Sequence, residues 1–484
     1  MSLVRFLLDG KLIEIDDFDP TRSVLQYLRE DLRRVGSKEG CAEGDCGACT
    51  VVVAELEGEG LRYRAVNACI QFLPTLDGKA LFTVESLKAA DGGLHPVQQS
   101  MVDHHGSQCG FCTPGFIMSM FALYQHSKTP SRAEIDDALS GNLCRCTGYR
   151  PIVDACVHMH EYPEVKPDAQ KLIAQLRKLR RERALSLKHR QASYFAPVTI
   201  DELAARYHDN PDAQLLAGGT DVGLWVTKQL RELPAIIYLG NVDALRQVKI
   251  GADGIEIGAA VTLADAFDTL EQHYPEFGEM FRRFASIPVR NAGTLVGNVA
   301  NGSPIGDSMP ALIAVKARVR LRRGDDSREL ALEELYLDYM KNALQPGEFI
   351  EALLVPLPQR DTQVRCYKLS KRYDQDISAV CAAFAMRLDG DAVAEIRIAL
   401  GGMAAIPKRA SLTEAYLLGE RWDEPTLVTA MQKLGEDFAP LSDMRASAAY
   451  RARTTANLLH RFYLETRPEH ALDANAVSVF AVTG

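Results

Sequence analysis

Apolar and polar positions alternate over residues 3–15 and predict a β-hairpin. Two strand-like runs flank Asp9-Gly10, which is a strong two-residue hairpin turn. Residues 24–28 then place apolar side chains on one face of a short amphipathic helix. A glycine-rich loop follows and leads into a strand predicted over residues 50–54. The first part of the chain is therefore expected to combine strands with one short helix.

The spacing of apolar residues becomes helical over residues 80–160. Thr113-Pro114 resembles an N-cap followed by proline at the first helical position. Ser131 and Glu134 match a capping box before the next helix. Together these signals predict a small helical bundle.

The remaining chain alternates between linker, mixed and helical patterns. Residues 161–192 are charge-rich and lack a dense apolar face, which predicts a solvated, partly helical linker. A nucleic-acid patch at the basic residues 177–183 is the less favoured alternative, because acids are interspersed. Short strands and helices alternate from residue 193, and residues 424–465 are helical in character. The whole pattern predicts an α+β multidomain protein.

Composition is that of an ordinary globular protein and limits the partners. Apolar residues make up 47% and charged residues 25% of the 484 positions. The net charge of -9 argues against nucleic acid or an anionic membrane as the main partner. No run of about 18 apolar residues could span a bilayer, and the acidic amino terminus does not fit a signal peptide. We therefore expect a cytoplasmic protein without a membrane partner.

Cysteine carries the candidate chemistry, because eight of the eleven cysteines form two tight groups. Without an export signal, such crowding indicates metal or redox chemistry rather than disulfides. The first group has the spacing C-x4-C-x2-C-x19-C, which matches plant-type [2Fe–2S] ligation. Glycines in the same loop would let backbone N–H groups approach the cluster sulfurs. A four-cysteine zinc site is the alternative, since zinc also binds thiolates. The predicted ligands of the first group are Cys41, Cys46, Cys49 and Cys69.

The second group has the spacing C-x2-C-x31-C-x-C within the predicted helical bundle. The C-x-C pair is unusual for structural zinc, because both sulfurs must reach one centre from adjacent backbone positions. Beside a plant-type motif, this spacing favours a second iron–sulfur cluster. Its predicted ligands are Cys109, Cys112, Cys144 and Cys146.

The segments QCGFCTPG and CRCTGYRPI resemble those of the molybdenum hydroxylases, which include xanthine dehydrogenases, aldehyde oxidoreductases and aerobic carbon monoxide dehydrogenases. The resemblance implies a plant-type ferredoxin β-grasp domain over residues 1–79 and a helical-bundle [2Fe–2S] domain over residues 80–160. Each domain would hold one [2Fe–2S] cluster. Gln108 and Cys146 match family positions that approach a molybdopterin. An ordinary solvated or packing amide is the alternative for Gln108.

Two glycine-rich segments, residues 215–223 and 286–307, fit neither the Rossmann fingerprint nor the P-loop. They predict tight turns after apolar strands, whose bare N–H groups could form a concavity for a pyrophosphate. Thr220 and Asn298 could add side-chain donors. Turns without a ligand are the alternative.

In the same family, similar segments hold FAD in a two-lobed α+β domain, here residues 193–365. A small α+β C-terminal flavoprotein domain follows over residues 366–484. Asn301 and Gly306 depart from the family, which often carries threonine and serine there, so individual contacts at these positions stay open. The FAD residues that the resemblance implies are Ala217, Gly218, Gly219, Thr220, Asp221, Val222, Phe284, Gly293, Thr294, Gly297, Asn298, Asp307, Ile350 and Lys368.

Residues 368–376 resemble the family loop that tunes access to the flavin face. A capping or turn role is the alternative for Asp307 and Asp376. Three further cysteines are expected to be buried thiols, and four histidines to be helix-surface or packing residues rather than metal ligands. These residues are Cys156, Cys366, Cys381, His104, His105, His158 and His160.

The order of the domains implies the iron–sulfur and FAD subunit of a xanthine dehydrogenase-like molybdenum hydroxylase, with no catalytic residue of its own. No region is left to house molybdopterin, so a large partner subunit is expected to carry it, in a dimer of heterodimers. Electrons from purine oxidation would pass through two [2Fe–2S] clusters to FAD and then to NAD+. The alternatives are an aldehyde or other N-heterocycle oxidoreductase, a stand-alone NADH-dependent reductase and a zinc scaffold.

Overall fold

The computed structural model describes residues 3–89 and 91–477, which form two compact units. The first unit contains the chain up to Arg246, together with Thr262–Ala264 and Ala285–Thr294. The second unit contains the rest. Each unit mixes helices with sheets, which confirms the α+β multidomain class. The predicted domain boundaries stay predictions.

Strands and helices alternate irregularly up to Arg246. The strands are β1 (Val4–Leu8), β2 (Lys11–Ile15), β3 (Thr50–Glu57), β4 (Gly60–Asn67), β5 (Ala80–Phe82), β6 (Leu185–His189), β7 (Ala192–Ala196), β8 (Gln214–Leu216) and β9 (Ala235–Tyr238). The helices are α1 (Val24–Gln26), α2 (Pro96–Asp103), α3 (Thr113–His126), α4 (Arg132–Leu139), α5 (Arg150–His158), α6 (Ala169–Leu179), α7 (Ile200–Asp209) and α8 (Val222–Thr227).

Beyond Arg246, helices separate two groups of strands. The strands are β10 (Val248–Gly251), β11 (Gly254–Gly258), β12 (Arg318–Arg323), β13 (Asp326–Ala331), β14 (Tyr336–Asp338), β15 (Lys341–Asn342), β16 (Phe349–Val355), β17 (Thr362–Leu369), β18 (Val380–Asp389), β19 (Ala392–Gly401) and β20 (Lys408–Arg409). The helices are α9 (Leu263–His273), α10 (Gly278–Arg283), α11 (Ile287–Ala292), α12 (Leu295–Asn301), α13 (Ser308–Ala314), α14 (Ser411–Leu417), α15 (Glu424–Asp437) and α16 (Ala448–Thr466).

The amino-terminal sheet has the strand order β2-β1-β5-β3-β4. The predicted hairpin is confirmed, because β1 and β2 pair antiparallel and both turn residues, Asp9 and Gly10, have positive φ. The predicted helix is also confirmed and continues as a π-helical turn over Tyr27–Asp31. The strand predicted from Thr50 is confirmed as β3, which pairs with both β4 and β5.

The predicted helical region forms α2 to α5. The capping box is confirmed, because Ser131 and Glu134 exchange side-chain and backbone hydrogen bonds. The prediction of Thr113 as an N-cap was wrong by one residue, because α3 already begins at Thr113. Cys112 precedes it with helical backbone angles, and the Thr113 hydroxyl instead donates to Ser107 Oγ at 2.7 Å. Pro114 still lies in the first turn, where its missing N–H removes no helical bond.

The linker over residues 161–192 is more structured than the sequence predicts. Helix α6 buries Leu172, Leu176 and Leu179 against the core of the first unit, so the prediction that this segment lacks an apolar face was wrong. Arg181 is ion-paired with the buried carboxylate of Asp77. Strand β6 also begins in this segment and pairs with β7 in a four-stranded sheet, β6-β7-β9-β8.

The second unit contains two larger sheets. Their strand orders are β10-β11-β16-β12-β13 and β17-β18-β19-β20, and β14 and β15 form a separate small pair. Helices α15 and α16 confirm the helical character predicted for residues 424–465. They cover the second sheet, where Phe384 stacks on Phe462 with ring centroids 4.9 Å apart. Among the described residues, no helix is long and apolar enough to cross a membrane.

A carboxylate in the first unit illustrates how buried charges are compensated. Glu55 on β3 is 12% exposed and lies near three cations: Arg64 at 3.2 Å, Arg246 at 2.8 Å and Lys79 at 3.8 Å. Burial disfavours its ionisation, but the three cations outweigh burial and lower the pKa of Glu55 to about 2. The ionised form of Glu55 therefore stabilises the folded state.

We predict that Glu55→Gln lowers the free energy of unfolding at pH 7 by about 2–3 kcal/mol, because the depressed pKa of the carboxyl is lost. The difference in the free energy of unfolding from the wild type should be fully present above the pKa of Glu55 in the unfolded chain, about 4.3. It should shrink as pH falls towards 2. Urea unfolding at several pH values measures this, with exposed Glu57→Gln as the control. Equal stability of the two variants at pH 7 would contradict the prediction.

Candidate functional site

The first cysteine group occupies the ends of two paired strands. Cys41 and Cys46 lie in the loop before β3, and both are half-buried. Cys49 directly precedes β3 and Cys69 follows β4, and both are buried. Because β3 and β4 pair antiparallel with Thr50 opposite Asn67, the pairing brings Cys69 to the cysteine loop.

The thiols of this group interact with one another. Cys41 interacts with Cys46 and with Cys69, and Cys69 also interacts with Cys49. The backbone N–H groups of Cys46 and Glu43 point at Cys41 Sγ, at 3.3 and 3.5 Å. Hydrogen bonds from the Cys46 and Cys69 thiols lower the pKa of Cys41, and the same contacts raise the pKa of its partners. The loop thus supplies the N–H donors that a thiolate sulfur requires.

Glycine allows the loop to approach its own sulfurs. A Cβ atom at Gly40 would lie 2.8 Å from Cys46 Sγ, which is closer than real contacts allow. Gly44 has φ of +79°, and a Cβ there would meet the Ile70 side chain at 2.7 Å. Buried Asn67, which the sequence did not single out, places its Nδ2 atom 4.0 Å from Cys49 Sγ.

The second group forms where α3 begins and where the chain turns between α4 and α5. Cys109 interacts with Cys146, and Cys112 interacts with Cys144. Burial and the contact with Cys144 raise the pKa of Cys112 to about 12. Cys109 and Cys146 are exposed, as is the neighbouring Gln108. One pair of this group is therefore open to solvent, whereas the other lies inward.

The pairing of thiols fits a binuclear cluster. In the described ranges 3–89 and 91–477, no group of three or more His, Cys, Asp or Glu side chains is arranged to hold a metal ion. In the second group the contacts join the sulfurs two by two, whereas in the first group they run from Cys46 through Cys41 and Cys69 to Cys49. The four thiolates of a [2Fe–2S] cluster are divided between two irons. The donor set of both groups therefore fits [2Fe–2S] ligation.

The first glycine segment makes a close backbone contact within the first unit. Residues 217–221 form the turn between β8 and α8, where Gly219 has φ of +75°. A Cβ atom at Gly218 would lie 2.0 Å from the carbonyl oxygen of Ala292 and 2.5 Å from Gly293 Cα. Thr220 Oγ1 would lie 2.9 Å from a Cβ placed on Gly293. The structure thus brings the two predicted FAD segments together at Gly218, Thr220 and Gly293.

The second glycine segment is helical rather than a turn after a strand. Helices α11 and α12 occupy most of residues 286–307, so the prediction of a preceding strand was wrong for this segment. Gly293 and Thr294 connect the two helices, and both are buried. Asn298 Oδ1 accepts from the hydroxyl of Ser308, which directly follows the segment, at 2.6 Å.

Two of the predicted flavin residues of the second unit, Lys368 and Asp307, form a buried ion pair. Lys368 Nζ donates to Asp307 Oδ2 at 2.5 Å, to Ser378 Oγ at 2.8 Å and to the carbonyl of Asp376 at 2.9 Å. Asp307 Oδ1 is buried and has no hydrogen-bond partner in the described part of the chain. A hydrogen-bond donor placed beside this oxygen would therefore satisfy a buried acceptor.

An arginine that the sequence did not reveal holds the loop after Lys368. Arg283 donates to the carbonyls of Tyr373 and Lys368, both at 3.1 Å, and to Ser370 Oγ at 3.1 Å. Its guanidinium also lies 4.6 Å from the centroid of the Tyr373 ring. Asp376 accepts the Arg372 backbone N–H at 2.9 Å, which is the turn role considered as its alternative.

The other predicted residues have less distinctive surroundings. Phe284 packs edge-on against Phe267 with centroids 5.5 Å apart, and Ile350 is buried on β16. Ala217, Val222 and Gly297 are half-buried, and Asp221 is exposed. The three remaining cysteines are buried, which confirms that prediction. His104 stacks on His158 and His160 on Tyr124, which is the packing role expected of them.

We predict that Lys368→Met lowers the free energy of unfolding by about 3–5 kcal/mol, because Asp307 is left as an uncompensated buried charge. The double variant Lys368→Met, Asp307→Asn should regain much of this loss, since no charge remains. Urea unfolding measures both, and the exposed Lys371→Met is the control. If the double variant were as unstable as the single one, the ion pair would not be the cause.

Family models match four successive segments of the chain. The 2Fe-2S iron-sulfur cluster binding domain matches residues 6–73, and the [2Fe-2S] binding domain matches residues 83–157. The FAD binding domain in molybdopterin dehydrogenase matches residues 188–358. The CO dehydrogenase flavoprotein C-terminal domain matches residues 365–466. The chain thus has two [2Fe–2S] domains and one FAD-binding domain.

Curated relatives are similar along nearly the whole chain. Xanthine dehydrogenase of Emericella nidulans is 32% identical over 95% of this chain and 38% of its own length. Xanthine dehydrogenase 1 of Arabidopsis thaliana is 29% identical over 91% of this chain and 38% of its own length. Xanthine dehydrogenase/oxidase of Gallus gallus is 28% identical over 97% of this chain and 40% of its own length. The chain spans about two fifths of the length of these relatives.

Solved structures share the fold of part of the chain. A Cu,Mo-CO dehydrogenase chain has a TM-score of 0.52 and 26% identity, and it covers 55% of this chain and 94% of its own length. A chain of quinoline 2-oxidoreductase from Pseudomonas putida 86 has a TM-score of 0.53 and 24% identity, over 59% of this chain and 100% of its own. Part of this chain therefore shares the fold of these solved chains.

Proposed function

We propose that this chain is the electron-transfer subunit of a xanthine dehydrogenase-like molybdenum hydroxylase. The observation that carries the proposal is the meeting of eight thiols in two groups of four in the first unit, one beside β3 and β4 and one beside α3 and α5. Each group of four thiolates suits the two irons of one [2Fe–2S] cluster. The matches to two [2Fe–2S] domains and to an FAD-binding domain support the same function.

The two groups of cysteines would hold the clusters, which accept and release one electron each. Around the first group, this chain supplies backbone N–H groups directed at Cys41 Sγ and the amide of Asn67 near Cys49 Sγ. Hydrogen bonds to ligand sulfurs raise the reduction potential, because they stabilise the added negative charge. Cys49 and Cys69 are buried, which keeps water from that side of the group.

The glycine turn and the buried lysine would serve FAD, which accepts two electrons when bound. The backbone N–H groups of Gly218 and Gly219 are the proposed donors to a pyrophosphate, since a glycine turn can present successive N–H groups to an anion. Lys368 would bring a positive charge near the flavin, and its proton is held in place by Asp307 and Ser378. Arg283 would keep the loop over residues 370–376 in position.

The exposed pair of the second group is the proposed contact with a partner subunit. Cys109, Cys146 and Gln108 are all exposed, and Phe111 between the cysteines is 46% exposed. A large subunit carrying molybdopterin would deliver electrons at this face. Purine oxidation, NAD+ as the final acceptor and a dimer of heterodimers belong to the same proposal, supported by the similarity to xanthine dehydrogenases.

A second candidate keeps the electron-transfer role and changes the substrate. The fold is shared with chains of a CO dehydrogenase and a quinoline oxidoreductase, so an N-heterocycle or aldehyde substrate on the partner is the alternative. The purified complex is mixed with xanthine, quinoline or an aldehyde in turn. The compound that reduces the clusters distinguishes the purine substrate from the N-heterocycle or aldehyde substrate. Copurification of a molybdenum-containing chain separates both from a stand-alone NADH-dependent reductase.

We predict that the protein purified from its host contains about four irons and one FAD, with two distinct [2Fe–2S] signals in EPR after dithionite reduction. Cys49→Ser and Cys112→Ser should each remove one signal, a different one in each variant, and about half of the iron. Cys156→Ser should keep both signals, since this buried thiol belongs to neither group. Zinc in place of iron, or one change abolishing both signals in a folded protein, would contradict the proposal.

We also predict that Gly218→Ala loses most of its FAD while it keeps its iron. The added Cβ would collide with the backbone of Ala292 and Gly293, so the turn must open. Gly251→Ala is the matched control, because a Cβ at that position meets no atom within 4 Å. Flavin absorbance and iron content of the purified variants measure the effect. Full FAD content in Gly218→Ala would show that this turn does not bind the cofactor.

A further inference from the structure

The two cysteine loops are joined directly by a backbone hydrogen bond. The N–H of Leu143 donates to the carbonyl oxygen of Cys46 at 3.0 Å. Cys46 is a predicted ligand of the first group, and Leu143 immediately precedes Cys144, a predicted ligand of the second. From Cys144 Sγ to Cys46 Sγ, the connection therefore consists of covalent bonds and this one hydrogen bond.

A single buried amide fixes this junction. Asn142, which is 2% exposed, donates from Nδ2 to the carbonyl of Gly47 at 3.0 Å and to Thr50 Oγ1 at 3.2 Å. Its Oδ1 accepts from Ser119 Oγ on α3 at 2.6 Å. The Thr50 hydroxyl in turn donates to the Gly47 carbonyl at 2.7 Å. Asn142 thus ties the loop of the second group both to the loop of the first and to α3.

The backbones at the junction are too close to admit side chains. A Cβ at Gly47, where φ is +69°, would lie 2.1 Å from the carbonyl oxygen of Gly141. A Cβ at Gly115 would lie 2.2 Å from the carbonyl oxygen of Gly47. Because the Asn142 amide is buried, loss of either end leaves buried polar groups without their hydrogen-bond partners.

We propose that Asn142 is a positioning residue for electron transfer between the two groups. It keeps the Leu143 N–H hydrogen-bonded to the Cys46 carbonyl. The path from Cys144 to Cys46 then runs through covalent bonds and one hydrogen bond, without a jump through space. The inference rests on the proposed function, because it presumes that both groups hold clusters. It concerns a contact that the cysteine spacing alone does not imply.

The step that Asn142 supports moves one electron and no atoms. With a cluster bound at each group, the second group would give up one electron and the first group would accept it. No bond forms or breaks, and no proton needs to follow. The Leu143 N–H keeps its proton, and its hydrogen bond contributes only to the coupling between the two ligand loops. A displaced loop would weaken this coupling while both groups kept their four thiols.

The test uses Asn142→Ala in the full-length chain, with Asn210→Ala as a control at an asparagine outside the junction. A laser flash delivers less than one electron per chain, and freeze-quench EPR follows how fast the two signals equilibrate. The magnetic interaction between the clusters in the fully reduced protein is measured on the same samples. We expect Asn142→Ala to slow equilibration by about 10- to 100-fold, which is the size of the loss of activity when a group behind a metal ligand is removed. Its magnetic interaction should change as well, whereas Asn210→Ala matches the wild type.

A purely structural role for Asn142 would lower the unfolding temperature and leave both the rate and the magnetic interaction unchanged. That result, with about four irons retained, overturns the inference. If Asn142→Ala loses iron, Ser119→Ala decides instead, because it removes only the donor to Asn142 Oδ1. Equilibration at the wild-type rate in Ser119→Ala would then overturn it. Absence of iron from the wild type itself would overturn the proposed function, which is a distinguishable failure.

Discussion

The close approach of two backbones at Gly47 is the constraint on which the first unit depends. The carbonyl oxygen of Gly47 accepts hydrogen bonds from Thr50 and from Asn142. The residues that approach Gly47 most closely, Gly115 and Gly141, are themselves glycines. Because no side chain fits between the loops, the sheet and helix α3 meet at a fixed distance. The core beneath is continuous: side chains from β3 and β4 pack with those of α3 and α5. The two cysteine groups are therefore held by one packed body rather than by separate flexible loops.

Charge compensation is the corresponding constraint in the second unit. The ammonium of Lys368 is 2% exposed and depends on Asp307, Ser378 and a carbonyl for its stability. Arg283 makes a similar set of bonds with the loop that follows. Buried charges of this kind are costly unless fully paired, so they are poor devices for stability alone. Lys368 and Asp307 are both among the predicted flavin residues, where their ion pair places a buried positive charge.

Much of the local structure could be predicted because its causes are local. An Asp-Gly turn between apolar runs forms a hairpin wherever it occurs, and Ser131 caps a helix through contacts three residues away. The linker was misjudged, since the three leucines of α6 are spaced so that only a helix brings them together, and only the sheet beside them gives them a core to join. The strand predicted before Gly293 was also wrong, because short apolar segments do not distinguish strands from helices.

The sequence by itself determined which residue types could bind cofactors, because cysteine spacing restricts the chemistry of a loop whatever surrounds it. Only the tertiary structure decided which sulfurs meet: Cys109 with Cys146 and Cys112 with Cys144, across more than thirty intervening residues. It alone revealed Asn142 and Arg283, whose roles come from partners distant in the chain. Such contacts depend on how elements pack, and packing follows from the sum of many weak interactions rather than from any one motif.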